Sequence, residues 1–191
     1  KQIKLQQKEL DINVAVFHDW DISDYSEVED YCNQNKWSYY KTSETFGKWR
    51  FWELNNIMYE YATGQDYDYV IQLPDDAILV DLFFYRICAV MQTDNDCINP
   101  FTLELHSGLF NKADNRTTNK YGELVPTNWA DSCFITTKNV ISKMRLSRPI
   151  NSINQDDSKG TGCGMMFSNK YLALFKKPIL QMRNALVFHR G

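Results

Sequence analysis

Long apolar spans are missing from this 191-residue sequence, and so is a secretory leader pattern, so no membrane-spanning helix is expected. Strong charge of one sign is missing too. A net charge of −3 offers a nucleic-acid backbone no basic surface, and no nucleic-acid partner is expected. The five cysteines (Cys32, Cys88, Cys97, Cys133 and Cys163) form no CxxC pair and no Cys/His cluster, so the spacing of a zinc site is absent. Their odd number and scattered placement fit reduced thiols, and with them a cytoplasmic location. Neither an internal repeat nor a low-complexity tract interrupts the chain. Hydrophobic residues at 43% and charged residues at 24% fit one compact domain over residues 1–191 with a core of its own. The chain opens on Lys1 rather than Met, which suggests a domain trimmed from a longer protein.

What is present is an alternation of strand and helix signals. Ile12 to Phe17 reads as a strand running into the polar loop His18-Asp19-Trp20-Asp21. A short helix is expected over Ser26 to Asn35, and a strand over Trp37 to Lys41. Phe51, Leu54, Met58 and Tyr61 recur at helical spacing ahead of Gly64. A second apolar helix is expected from Asp81 to Gln92, and a strand from Cys97 to Phe101. His106 to Val125 reads as a long polar loop, and Ser147 to Gly164 as another. Such alternation predicts an α/β fold with a mostly parallel central sheet and helices on both faces. Aromatic residues make up 14% of the chain, a surplus that suits a core or platforms for flat or sugar-like ligands.

The most informative stretch is Tyr69-Val70-Ile71-Gln72-Leu73-Pro74-Asp75-Asp76. An apolar β-rich run of this kind suits a strand buried on both faces. Pro74 ends it, because proline cannot donate to the sheet ladder. Two adjacent carboxylates follow, at the place where open α/β sheets bind ligands. Their mutual repulsion favours a divalent cation between or beside them, and hard oxygen donors suit Mg²⁺ or Mn²⁺. Pro-Asp-Asp is equally ordinary turn chemistry, with the aspartates capping a helix that starts near Asp81. Lys48 and Arg50 stand at the amino end of the preceding helix, where the macrodipole disfavours cations. A bound anion would explain them; two ordinary basic residues in a solvated loop would also suffice.

This combination resembles the nucleotide-diphospho-sugar glycosyltransferases of the GT-A fold, most of all the family-2-like members. The resemblance is carried by Gly47-Lys48-Trp49-Arg50 leading to Asn55, then Asp68-Tyr69-Val70-Ile71-Gln72-Leu73-Pro74-Asp75-Asp76 in the place of the acidic DxD signature. Asn128-Trp129-Ala130-Asp131, Asp156-Asp157 and the closing Leu186-Val187-Phe188-His189 add to it. Pro74 is a departure, since it shortens the acidic run to two positions.

The resemblance implies transfer of a sugar, of the hexosyl or deoxyhexosyl kind, from a nucleoside-diphosphate donor (UDP-linked in the leading version) to a hydroxyl of a glycan or other acceptor. It implies a Mn²⁺ or Mg²⁺ cofactor held by Asp76, with Asp75 on the metal or the ribose and His189 as a further ligand. Phe17, His18 and Asp19 would face the nucleobase. Lys48 and Arg50 would hold the diphosphate, Asn55 would belong to the same donor site, and Asp131 would contact donor sugar or acceptor. An inverting reaction needs a base for the acceptor proton, and Asp156 or Asp157 holds that place. Two alternatives stand beside this one: a nucleotidyltransferase that makes sugar nucleotides, and a carbohydrate-binding domain without catalysis. The first usually has a glycine-rich basic loop where this chain has His18-Asp19-Trp20-Asp21; the second leaves the carboxylate pair unexplained.

Overall fold

The computed structural model describes residues 2–7, 9–19, 26–47, 50–92, 95–100, 117–119, 122–127, 133–147, 163–182 and 185–189. After a short helix α1 (Gln2–Gln6), strand β1 (Ala15–His18) pairs in parallel with β2 (Ser38–Lys41), and α2 (Ser26–Gln34) connects them. Helix α3 (Phe51–Thr63) leads to β3 (Tyr69–Gln72), the strand ahead of the acidic pair. Then come β4 (Ala77–Leu79), α4 (Phe83–Met91), β5 (Cys97–Asn99), β6 (Thr117–Asn119), β7 (Gly122–Thr127) and β8 (Phe134–Thr137). Helices α5 (Lys138–Ile141) and α6 (Cys163–Phe175) and strands β9 (Ile179–Met182) and β10 (Val187–His189) complete the order.

The main sheet has six strands in the order β3-β8-β5-β9-β7-β6, and it corrects the expectation of a mostly parallel sheet. Among the described residues two strand pairings are parallel, β1 with β2 and β5 with β9, and five are antiparallel. The chain is α/β, but its sheet is mixed. The physical reason lies in β8, whose Phe134, Ile135 and Thr136 are all buried. Burial on both faces produces the same apolar run whichever way a strand points, so the pattern reports depth and not direction. Strand β8 sits inverted between β3 and β5, which themselves run the same way as β9. The long polar loop expected from His106 to Val125 is corrected as well. Its second half forms an antiparallel hairpin, with Thr117 opposite Leu124 and Asn119 opposite Gly122.

Each face of the sheet carries its own core. On one face Phe134, Cys97 and Ile179 meet Tyr59 of α3, Val140 and Ile141 of α5, and Cys163, Phe167 and Tyr171 of α6. Phe134 and Phe167 are stacked at 4.1 Å between centroids, and the Tyr59 ring stands edge-on to both. On the other face Ile98, Ile135 and Met182 meet Phe83, Phe84, Ile87 and Val90 of α4. Helix α3 forms over the expected span, with Leu54, Tyr59 and Ala62 turned inward. All five cysteines are free, and four of them are buried. Among the described residues no helix is long and apolar enough to cross a membrane.

Candidate functional site

Strands β3, β5 and β9 end at a common edge of the sheet, and the acidic pair lies there. The backbone N–H of Ala77 donates to the Pro74 carbonyl at 3.3 Å, closing a four-residue turn with Asp75 and Asp76 at its two central positions. Both aspartates are exposed. The turn expected from Pro-Asp-Asp is therefore present, but it caps no helix: β4 intervenes, and α4 begins only at Phe83. Strand β4 pairs antiparallel with β10, so that Ala77 lies opposite His189 and Ile78 opposite Phe188. The Leu186 N–H donates to the Pro100 carbonyl at 2.8 Å and the Val80 N–H to the Leu186 carbonyl at 3.1 Å, tying this pair to the end of β5. The chain's last strand thus brings the His189 backbone opposite the residue that follows Asp76.

Behind the turn, Asn55 fastens α3 to β3. It is 1% exposed. Its Nδ2 donates to the Phe51 carbonyl at 2.7 Å, and its Oδ1 accepts from Gln72 Nε2 at 2.8 Å and from the Tyr59 hydroxyl at 3.3 Å. These bonds occupy the side chain that the resemblance would assign to a donor; its role here is to position the end of β3. Burial drives the Tyr59 hydroxyl well above its ordinary pKa, with the Cys163 and Cys97 thiols adding to the effect, so it stays a neutral donor.

Arg50 is likewise engaged. Its Nε and Nη2 reach Glu53 at 2.6 and 2.8 Å, and its Nη1 reaches Glu44 at 2.8 Å, with the guanidinium over the Phe46 ring. Hydrogen bonds to Glu53 and Glu44 raise its already high pKa further. The anion that a cation at this helix start calls for is supplied by the protein's own carboxylates. Asp19, expected near a nucleobase, accepts from the backbone N–H groups of Phe46 and Gly47, one on each oxygen, both at 2.7 Å. Gly47 has φ +56°, a left-handed conformation that glycine adopts without strain. Asp19 therefore clamps the loop ahead of α3. His18 Nδ1 lies 2.6 Å from the Tyr39 hydroxyl. Phe17 stacks on Tyr40 at 5.0 Å and meets Tyr61 edge-on at 5.4 Å, which sets β1 and β2 against α3.

The structure thus brings Asp75, Asp76 and the His189 backbone to one edge, with Asn55 behind them, and puts Arg50 and Asp19 into internal contacts. Lys48, Asp131, Asp156 and Asp157 lie outside the described residues, as does the side chain of His189. Among the described residues no three acidic, histidine or cysteine side chains converge into a metal cage. Two exposed neighbouring carboxylates nevertheless fit a Mg²⁺-type ion, which is commonly held by one or two carboxylates and completed by water and substrate phosphates.

Three polar residues at this edge escaped the sequence reading. Gln72 and Asn99 close β3 and β5, and Gln181 stands one place before the end of β9, in the runs Val-Ile-Gln, Cys-Ile-Asn and Ile-Leu-Gln. By strand alternation they share the face that carries Val70, Cys97 and Ile179. Asn99 pairs with Gln181 directly. The apolar-apolar-carboxamide run, repeated in three strands, is the signal the sequence carries.

No family model and no curated protein matches the chain. Among solved structures it is similar to A197 from STIV, at 13% identity and a TM-score of 0.47, over 94% of this chain and 86% of that one. A likeness so slight transfers neither fold nor function.

Proposed function

We propose that the protein is a metal-dependent glycosyltransferase that takes a sugar from a nucleoside-diphosphate donor, UDP-linked in the first instance, and passes it to an acceptor hydroxyl. The observation that carries this reading is the turn at the end of β3: two exposed aspartates at its tip, with the backbone of His189 opposite the next residue. Asp76 and Asp75 would hold Mn²⁺ or Mg²⁺. Bound there, such an ion would supply Lewis-acid neutralisation of developing diphosphate charge. The Asn55–Gln72 bond anchors the end of β3, from which the turn carrying the two carboxylates departs. Asp156 or Asp157 takes the proton of the attacking hydroxyl, in the role that the family resemblance gives that position.

The test is release of UDP from a panel of UDP-sugars with MnCl₂, in wild type and in Asp76→Ala. Turnover that needs the metal and is lost in the variant is expected. Full metal-dependent turnover by Asp76→Ala would refute the site. Consumption of UTP with a sugar 1-phosphate would assign the nucleotidyltransferase reaction instead, and a response to free sugars alone would assign a binding domain.

A further inference from the structure

Among the described residues the carboxamide row holds one unmatched group. Gln181 is 1% exposed, and its Nε2 has no hydrogen-bond partner among the described residues. Gln72, on the same face, spends its Nε2 on Asn55. A buried amide without a partner costs stability that an apolar side chain of the same length would not. Such a group marks a place where a partner from outside the chain belongs.

The identity of that partner follows from chemistry and position. The unmatched Nε2 is an uncharged N–H donor, which a neutral hydroxyl oxygen satisfies without burying the charge that a phosphate would bring. Gln181 stands beside Asn99, also fully buried, so two carboxamides lie side by side. Position excludes the cation and its diphosphate. Strands β8 and β5 separate β9 from β3, and three strand spacings amount to roughly 14 Å. Resting on the glycosyltransferase reading above, we propose that Gln181 is a sugar-recognition residue: its Nε2 donates to an oxygen of a sugar seated at this edge, with Asn99 beside it. The sugar belongs either to the donor or to the acceptor.

The experiment uses the full chain and Gln181→Met, which keeps length and removes the amide. Melting temperatures are read without ligand, with UDP and MnCl₂, with UDP-glucose, UDP-galactose or UDP-N-acetylglucosamine and MnCl₂, and with free glucose or N-acetylglucosamine. The ligand-free variant should melt roughly 2–4 °C above wild type. Its response to UDP and MnCl₂ should equal that of wild type. A donor sugar is indicated if the extra shift of a UDP-sugar over UDP is lost, and an acceptor sugar if the shift with free sugar is lost, in either case with affinity down about tenfold. Gln181→Asn, whose amide is one carbon short, should lose the same increment and guards against a misfolded Met variant. A sugar increment unchanged in both variants overturns the proposal, and so does a wild type that responds to no sugar in either form. A wild type that ignores UDP with MnCl₂ but responds to free sugar through Gln181 overturns only the glycosyltransferase reading.

Discussion

The two ends of the sheet use similar residues to opposite effect. At the amino edge, just ahead of β5, the Asp96 carbonyl accepts from Thr136 Oγ1 at 2.8 Å and from the Thr137 N–H at 3.1 Å. Its carboxylate takes Lys177 Nζ at 2.9 Å and the Tyr171 hydroxyl. Burial, and then the Asp96 carboxylate, push the Tyr171 hydroxyl far above its ordinary pKa, so it remains a donor at any working pH. A cavity of about 100 Å³ lies there, lined by Asp96, Cys97, Tyr171 and Lys177 among others. At the carboxyl edge two aspartates stand exposed on a turn, and a buried amide has no partner among the described residues. The amino edge is matched internally and serves the architecture. The carboxyl edge differs in presenting two carboxylates to solvent and in burying an amide that no described residue matches.

That contrast can be broken most sharply by removing the carboxylates. Asp75→Ala with Asp76→Ala should lower Mn²⁺-dependent nucleotide release by about 100-fold or more. Melting should move by no more than about 2 °C, because both side chains are exposed on a turn. Unchanged turnover would erase the difference between the edges. Asn55→Ala is the next largest. It strips Gln72 and Tyr59 of their partner, at a cost of about 2–3 kcal/mol and a fall in melting temperature of roughly 4–10 °C, read by calorimetry. Activity should fall with it, as the end of β3 loosens.

Tyr171→Phe sharpens the comparison from the other side. Losing its bond to Asp96 should destabilise by about 1–2 kcal/mol while leaving ligand-induced melting shifts as in wild type. A loss of nucleotide response would mean that the amino edge also serves the site.

The smallest effect is expected at the Glu44–Arg50 pair. The Arg50 guanidinium, by hydrogen bond and by charge, holds the Glu44 carboxyl below its ordinary value of 4.5. A depressed folded-state pKa contributes stability that is complete above the unfolded value and fades as the pH falls through the folded one. Glu44→Gln should therefore melt slightly below wild type at pH 7. The gap should close in acid below the glutamate range, and also in about 1 M salt, where exposed charges are screened. A gap that persists in acid would mean that the loop depends on Glu44 packing instead.

Much of the site's frame was legible in the chain. The 3.6-residue spacing of Phe51, Leu54, Met58 and Tyr61 marks α3, and the apolar run from Tyr69 ended by Pro74 marks β3. Pro-Asp-Asp specifies its turn locally, because proline sets one backbone angle and aspartate tolerates the rest. Arg50 and Asp19 were less legible. A basic residue at a helix start asks for an anion, but no local pattern says whether a ligand or the protein's own Glu44 and Glu53 supplies it. Asn55 and Gln72 are 17 positions apart, and their bond exists only once α3 has folded back on β3.

By itself, then, the sequence determined what depends on near neighbours: helix spacing, strand burial, and a turn that places two aspartates side by side. Tertiary structure alone decided which way β8 runs, that β10 returns to lie against β4 behind the acidic turn, and that the Gln181 amide is left over among the described residues. The reason is physical. Periodicity records how deeply a side chain is buried, whereas strand direction and hydrogen-bond partners depend on segments that meet only in space.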